Sequence, residues 1–258
     1  MDYQHIKFAA EGNIGVITLA SPQKRNVLSM ALLKELKNLF ICLEERNDIK
    51  VLIVKAEGKV FSSGHNLTEM TGRPMAHYHN IFKICSAVME KIQQLPQPVI
   101  AQVQGIATAA GCQLVAACDL AVVAEDAQFG TPGVKIGLFC TTPAIPLVRA
   151  IGRKRALEML LTGRMISAVE ALQYGLVNKV VPATELETAT KSMADKIAEA
   201  SSLTLGIGKR IFYTQVNLPD AQAYELGSMA MVSNLFAEDA GEGIRAFKEK
   251  RKPIWKGL

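Results

Sequence analysis

The chain has 258 residues, 49% hydrophobic and 21% charged, which suits one large folded domain or two small ones and excludes a disordered or collagen-like chain. Its formal net charge is +5. Residues 245–258 carry Arg245, Lys248, Lys250, Arg251, Lys252 and Lys256 against Glu249, which accounts for the whole excess, so a global polyanion-binding surface is not expected and a solvated basic tail is the plain reading.

The opening residues, Met1 to His5, lack a charged and then apolar leader, so neither a signal nor a transit peptide is expected. Residues 13–19 predict a strand, broken by Ser21-Pro22. Ser29 can cap a helix whose apolar face is Leu32, Leu33, Leu36, Leu39, Phe40 and Leu43. Val51 to Val54 is an apolar run without alternation, as in parallel strands buried on both faces. A Gly-rich loop at 58–66 precedes a helix over about 75–95, stopped by Pro96 and Pro98. Residues 99–118 hold no charge, but Gly105, Gly111 and several glutamines argue for a buried strand (99–103) and a buried helix (109–117) rather than a membrane span. Another strand is expected at 120–123. From Pro143 onward the pattern predicts helices, at 143–150, 153–162, 167–174, 183–200, 202–216, 221–235 and 239–250. The result is an α/β core followed by a helical C-terminal region, with no internal repeat.

The five cysteines, at 42, 85, 112, 118 and 140, are odd in number and form no CxxC, so reduced, buried thiols are expected rather than disulfides or a zinc site. His77 and His79 have no third ligand nearby, and no metal is expected. The chain has no GxGxxG, no phosphate-binding GxxxxGK[ST] and no GxSxG elbow, and Gly206 to Lys209 falls in a helical stretch. Two turns carry more chemistry: Phe61-Ser62-Ser63-Gly64-His65-Asn66-Leu67 and Gly105 to Gln113. Each follows an apolar strand, so both can open on one sheet edge. The second starts a helix, whose free N–H groups and dipole favour negative charge. Two such N–H groups converging on one oxygen would stabilise an enolate formed from a thioester. The alternative is tight strand–helix packing alone.

These turns, with Ser21 to Leu28, Phe129-Gly130-Thr131-Pro132-Gly133-Val134, Gly241 to Phe247 and Lys250 to Pro253, resemble the enoyl-CoA hydratase/isomerase (crotonase) superfamily over about Ile14 to Trp255. The resemblance implies a crotonase fold of stacked ββα turns, with an α/β core over 1–195 and a C-terminal helical trimerisation region over 196–258. It implies homotrimers or hexamers, and a coenzyme A thioester as ligand rather than a separate cofactor. It places the oxyanion-hole N–H groups at His65 and Ala110. Ser63, His65, Asn66, Leu67 and Thr68 would line the CoA pocket, and Lys24, Arg25 and Val27 would follow the nucleotide. Phe247 and Lys250 would reach a neighbouring subunit's CoA, giving the basic tail a phosphate partner.

Two departures matter. The family's catalytic glutamates fall at Gln113 and Gly133. Neutral Gln113 can orient water but cannot exchange protons near neutral pH, and Gly133 has no side chain. Thr141, at a position that carries aspartate in dienoyl-CoA isomerases, is no base. Dihydroxynaphthoyl-CoA synthases share a glycine at 133 and use bicarbonate, but their aspartate would fall near Cys140. His65 is the titratable candidate base, Cys140 a weaker nucleophile candidate, and Asp119 is expected to be structural. The reading is therefore an acyl-CoA-binding protein with weak or absent hydratase activity. Alternatives are a non-catalytic thioester sensor or scaffold and, more weakly, RNA binding through the tail, although nucleic acid and membrane insertion are not expected. The compartment would be a bacterial cytoplasm or, for a trimmed form, the mitochondrial matrix.

Overall fold

The computed structural model describes residues 3–258; Met1 and Asp2, which open the segment expected to lack a leader, lie outside the described residues. In chain order the elements are β1 (Ile6–Glu11), β2 (Ile14–Leu19), α1 (Met30–Glu44), β3 (Val51–Ala56), β4 (Val60–Ser62), α2 (Met75–Gln94), β5 (Val99–Val103), β6 (Ile106–Thr108), α3 (Ala110–Ala117), β7 (Leu120–Ala124), β8 (Gln128–Gly130), α4 (Thr141–Ile151), α5 (Arg153–Thr162), β9 (Met165–Ser167), α6 (Ala168–Tyr174), β10 (Lys179–Val181), α7 (Leu186–Ala198), α8 (Ser202–Gln215), α9 (Asp220–Leu235) and α10 (Glu238–Lys248).

Two sheets form. One runs β1-β2-β3-β5-β7-β10 and the other β4-β6-β8-β9. Pairing is parallel except β1 with β2 and β8 with β9, each at a sheet edge. The unalternating run in β3 has the predicted consequence. Val51 and Ile53 pack with Leu186 and Ala194 of α7, while Leu52 and Val54 face the main core with Leu32 and Leu36 of α1. Sheet one is thus covered on both faces. Ser29 Oγ accepts from the Leu32 N–H (3.2 Å), and all six expected apolar residues of α1 are buried.

The structure adds strands to the expected pattern. β1 pairs with β2 through a turn at Gly12. β4, β6 and β8, with β9, make a second sheet directly beneath the two glycine-bearing turns. β9 and β10 interrupt the region expected to be purely helical. The expected division after residue 195 falls inside α7, which stays on the sheet. Cys85, Cys112 and Cys118 are buried as expected, but Cys42 is exposed, because it lies on the outer side of α1, and Cys140 is half-buried. Burial pushes the Cys85 and Cys112 thiols up to about 12. Among the described residues no group of three or more His, Cys, Asp or Glu could hold a metal, and no helix is long and apolar enough to cross a membrane.

Candidate functional site

The first turn is fastened by Asn26, a buried residue in the left-handed region (φ +48). Its Oδ1 accepts from the Ser21 N–H (2.9 Å), and its Nδ2 donates to the carbonyls of Glu57 and Val60 (2.8 Å each). Ser62 Oγ donates to the Asn26 carbonyl (2.8 Å), and the Leu28 N–H to the Gly64 carbonyl (2.8 Å). These bonds lace residues 21–28 to residues 57–64, so exposed Lys24 and Arg25 and half-buried Val27 stand beside Ser63 to Thr68. Asn66 Oδ1 accepts from the Thr68 N–H (3.2 Å) and caps the short helical turn Leu67–Met70. Asn26 was not picked out from the sequence; its signal is residue type, since asparagine is the side chain that most readily tolerates this backbone region in a loop.

The two turns then abut. Gly64 has φ +86, and a Cβ there would lie 2.9 Å from Ala109 Cβ and 3.1 Å from the Ala110 nitrogen, so only glycine fits. Ala109 sits at φ 51, ψ −119, a conformation costly for any residue with a side chain. Its N–H is held by the Gly130 carbonyl (2.8 Å). The next residue, Ala110, begins α3. Among the described residues the backbone N–H groups of His65 and Ala110 meet no acceptor. Two donors without acceptors, one at a helix N-terminus, thus stand beside the space where the two turns meet.

That space is a cavity of about 320 Å³ lined by Ser63, His65, Leu67, Ala110 and Gly133 among the expected residues. Met70, Phe82, Ile136, Leu138 and Phe139 make its walls apolar. Lys24, Arg25, Val27, Asn66 and Thr68 neighbour lining residues in sequence or by hydrogen bonding without lining the cavity, and exposed Phe247, in α10, and Lys250, just beyond it, do not line it in this chain. Gln113 does not line it either. It is 4% exposed, its Oε1 accepts from the Cys85 thiol (4.0 Å), and it lines a separate cavity of about 260 Å³ between α2, α3 and α4.

His65 is a titratable residue lining the cavity, and Gly133 lines it without a side chain. Burial pushes the His65 imidazole below its usual range, opposed by the Leu28 carbonyl, 3.3 Å from Nδ1, and by Glu69. The ring sits edge-on to Phe82 (5.4 Å, 84°), and its Nε2 is buried without a partner. With Nδ1–H turned to the Leu28 carbonyl, Nε2 carries the lone pair. At Gly133 a Cβ would lie 2.5 Å from the Leu138 carbonyl oxygen and 2.7 Å from Cys140 Sγ. The 138–140 segment fills the place of a side chain at 133. Burial raises the Cys140 thiol's pKa, with the Gly133 N–H acting the other way.

Asp119 proves structural in its contacts. Its Oδ2 takes the Lys209 ammonium (2.6 Å) and the Val99 N–H (2.6 Å), and its Oδ1 accepts from the Tyr213 hydroxyl (2.8 Å).

Residues 9–258 match the family model described as enoyl-CoA hydratase/isomerase. The chain is 52% identical over 240 residues to human enoyl-CoA hydratase domain-containing protein 3, mitochondrial, covering 93% of this chain and 79% of the relative. The rat protein of the same name is 51% identical over 240 residues, covering 93% of this chain and 80% of its own length. The crystal structure of the human protein superposes with a TM-score of 0.96 at 49% identity, covering 98% of this chain and all (100%) of that one. An enoyl-CoA hydratase from Bacillus anthracis superposes with a TM-score of 0.94 at 34% identity, covering 99% of this chain and 100% of that one. Fold and sequence agree over nearly the whole length: the chain belongs to the enoyl-CoA hydratase/isomerase, or crotonase, family.

Proposed function

We propose that the cavity binds the acyl part of a coenzyme A thioester, with the thioester oxygen accepting from the His65 and Ala110 N–H groups. The observation that carries this reading is the pair of backbone donors without acceptors at the junction of two turns. Such a pair polarises the carbonyl and stabilises the enolate, worth about 10²–10³ in rate per donor. Lys24 and Arg25, fastened beside Ser63 to Thr68, would meet the phosphates of the nucleotide. Proton transfer is the weak part of the site. Gln113 and Gly133 stand at the glutamate positions, Gln113 faces another cavity, and the Cys140 thiol is held protonated by burial. Each missing acid–base group costs about 10²–10⁴-fold. Hydration is therefore weak or absent, and the surviving chemistry is an enolate-stabilising isomerase or lyase step, with the His65 Nε2 lone pair as its base. The same loss of carboxylates favours a second reading, a thioester sensor or scaffold without turnover. The mitochondrial names of the vertebrate relatives and the bacterial source of the Bacillus protein support either a mitochondrial matrix or a bacterial cytoplasm.

The test is infrared spectroscopy of a carbonyl-labelled crotonyl-CoA bound to the protein. The carbonyl stretch is expected to fall on binding, and an unshifted stretch would overturn the oxyanion-hole assignment. Hydration followed by loss of the enoyl absorbance is expected to be slow or undetectable. A rate matching a glutamate-bearing hydratase would refute the account of proton transfer. Any slow enolisation separates the enzyme from the sensor through deuterium exchange at the α-carbon of a saturated thioester.

A further inference from the structure

We infer that the acyl group taken by this cavity carries a negative charge at its far end, a carboxylate in the simplest case. The inference rests on the thioester reading above and names its substrate class. Among the described residues Lys135 is the one charged residue lining the cavity, and no aspartate or glutamate lines it. The lysine stem lies across the end of α5: its Cγ and Cε are 3.2 and 3.1 Å from the point where a Gly163 side chain would begin. The carboxylates nearest in sequence to that turn are already engaged, since Glu158 and Glu170 both pair with Arg164. Thr141 and Thr142 of α4 line the same wall, and the first turn of α4 has neither a side-chain cap nor an acidic residue. This wall therefore holds a lysine without an ion-pair partner, two threonines and the N-terminal end of an 11-residue helix, and among the described residues no aspartate or glutamate.

An uncharged acyl chain reaching this wall leaves the ammonium with water as its only partner. An anionic terminus returns a charge-assisted hydrogen bond, the stronger kind. The thioester oxygen needs no such charge, because it is served by neutral backbone donors. A cation in the lining of an otherwise largely apolar cavity thus selects a thioester of a dicarboxylic acid over its monocarboxylic counterpart.

The test is calorimetric titration of the wild-type protein with succinyl-, glutaryl- and adipyl-CoA against butyryl-, pentanoyl- and hexanoyl-CoA, with CoA itself as reference. At the chain length that spans the cavity, the dicarboxylic thioester is expected to bind about two- to fivefold tighter than its uncharged match, a range set by ion pairing at an exposed lysine. The preference should vanish in Lys135→Met, persist in Lys135→Arg and shrink with added salt. Equal binding at every length, or a preference that Lys135→Met leaves intact, overturns the inference while leaving the thioester reading standing. If no thioester binds better than CoA, the thioester reading fails and the inference falls with it. Lys135 is exposed, so its variants retain the fold.

Discussion

At His65, burial favours the neutral imidazole, and the sign of the pH effect follows. The folded-state pKa lies below the ordinary 6.5. Between the two values the unfolded chain binds a proton that the folded chain refuses, so stability rises with pH across that window. It is fully present above the unfolded value and declines as pH falls toward the folded one. Chemical unfolding at about pH 7.5 and pH 5.5 should therefore show the wild type losing more stability on acidification than His65→Gln; equal losses would mean the ring is not held neutral. Gly133 gives a second residue-scale prediction. Gly133→Ala places a methyl against the Leu138 carbonyl and Cys140 Sγ, and such overpacking costs about 1–3 kcal/mol in unfolding free energy. Adding Cys140→Ala should restore part of it; no recovery would mean that the Leu138 carbonyl alone sets the clash. A glutamate at 133 therefore cannot restore hydration unless the 138–140 segment moves. That the carboxylate is missing was legible in the sequence. What fills its place was not, because the contact is made by a loop doubling back on itself, which no local pattern records.

Among the elements, α8 shows how a helix can be fixed by polar contacts rather than by its apolar stripe. It holds no buried residue by whole-residue exposure, yet its Lys209 side chain reaches into the core. There the ammonium donates to the carbonyls of Ile92 (2.7 Å) and Gln97 (2.8 Å) and pairs with Asp119. Burial lowers the lysine's pKa, and Asp119 pulls the other way. Removing one partner of a buried pair costs about 3–5 kcal/mol. Lys209→Met should show a loss of that order in chemical unfolding, and a change near zero would mean that α8 is held by packing alone. Sequence reading places α8 within one residue of its observed end but assigns Lys209 no role. Periodicity locates long helices and double-faced strands such as β3 because their burial repeats along the chain. The strands of the second sheet span only three residues each. Their pairing is set by partners far away in sequence, so the pattern within each is too short to read.

For the whole molecule, three of the six cations at 245–258 are fastened rather than loose. Arg251 pairs with Glu242 and Glu249, Arg245 with Glu242, and Lys256 with Glu238. Trp255 Nε1 donates to the Glu199 carbonyl (2.6 Å). Buried Asp239 accepts from Ser201 Oγ (2.6 Å) and from the N–H groups of Lys256 (2.7 Å) and Gly257 (2.9 Å). Against the upward push of burial, these bonds hold its carboxyl below the ordinary value. Truncating 245–258 would therefore unfasten α10 as well as remove charge, and cannot by itself test the tail's expected role at a subunit interface. Point variants can. Phe236 (87% exposed), Met231, Leu235 and Phe247 (86%) leave large apolar side chains in water along α9 and α10. Burying one such side chain is worth about 1.5–3 kcal/mol, so a self-associating face here has ample driving force. Sedimentation equilibrium should give the mass of a trimer or hexamer for the wild type and a shift toward monomer for Phe236→Glu and Phe247→Glu, with unchanged circular dichroism. If Lys250 reaches a neighbour's ligand, Lys250→Ala should weaken acyl-CoA binding without altering the mass. A wild-type monomer with full acyl-CoA affinity would refute both, and would leave the basic tail as a clasp for α10 and nothing more.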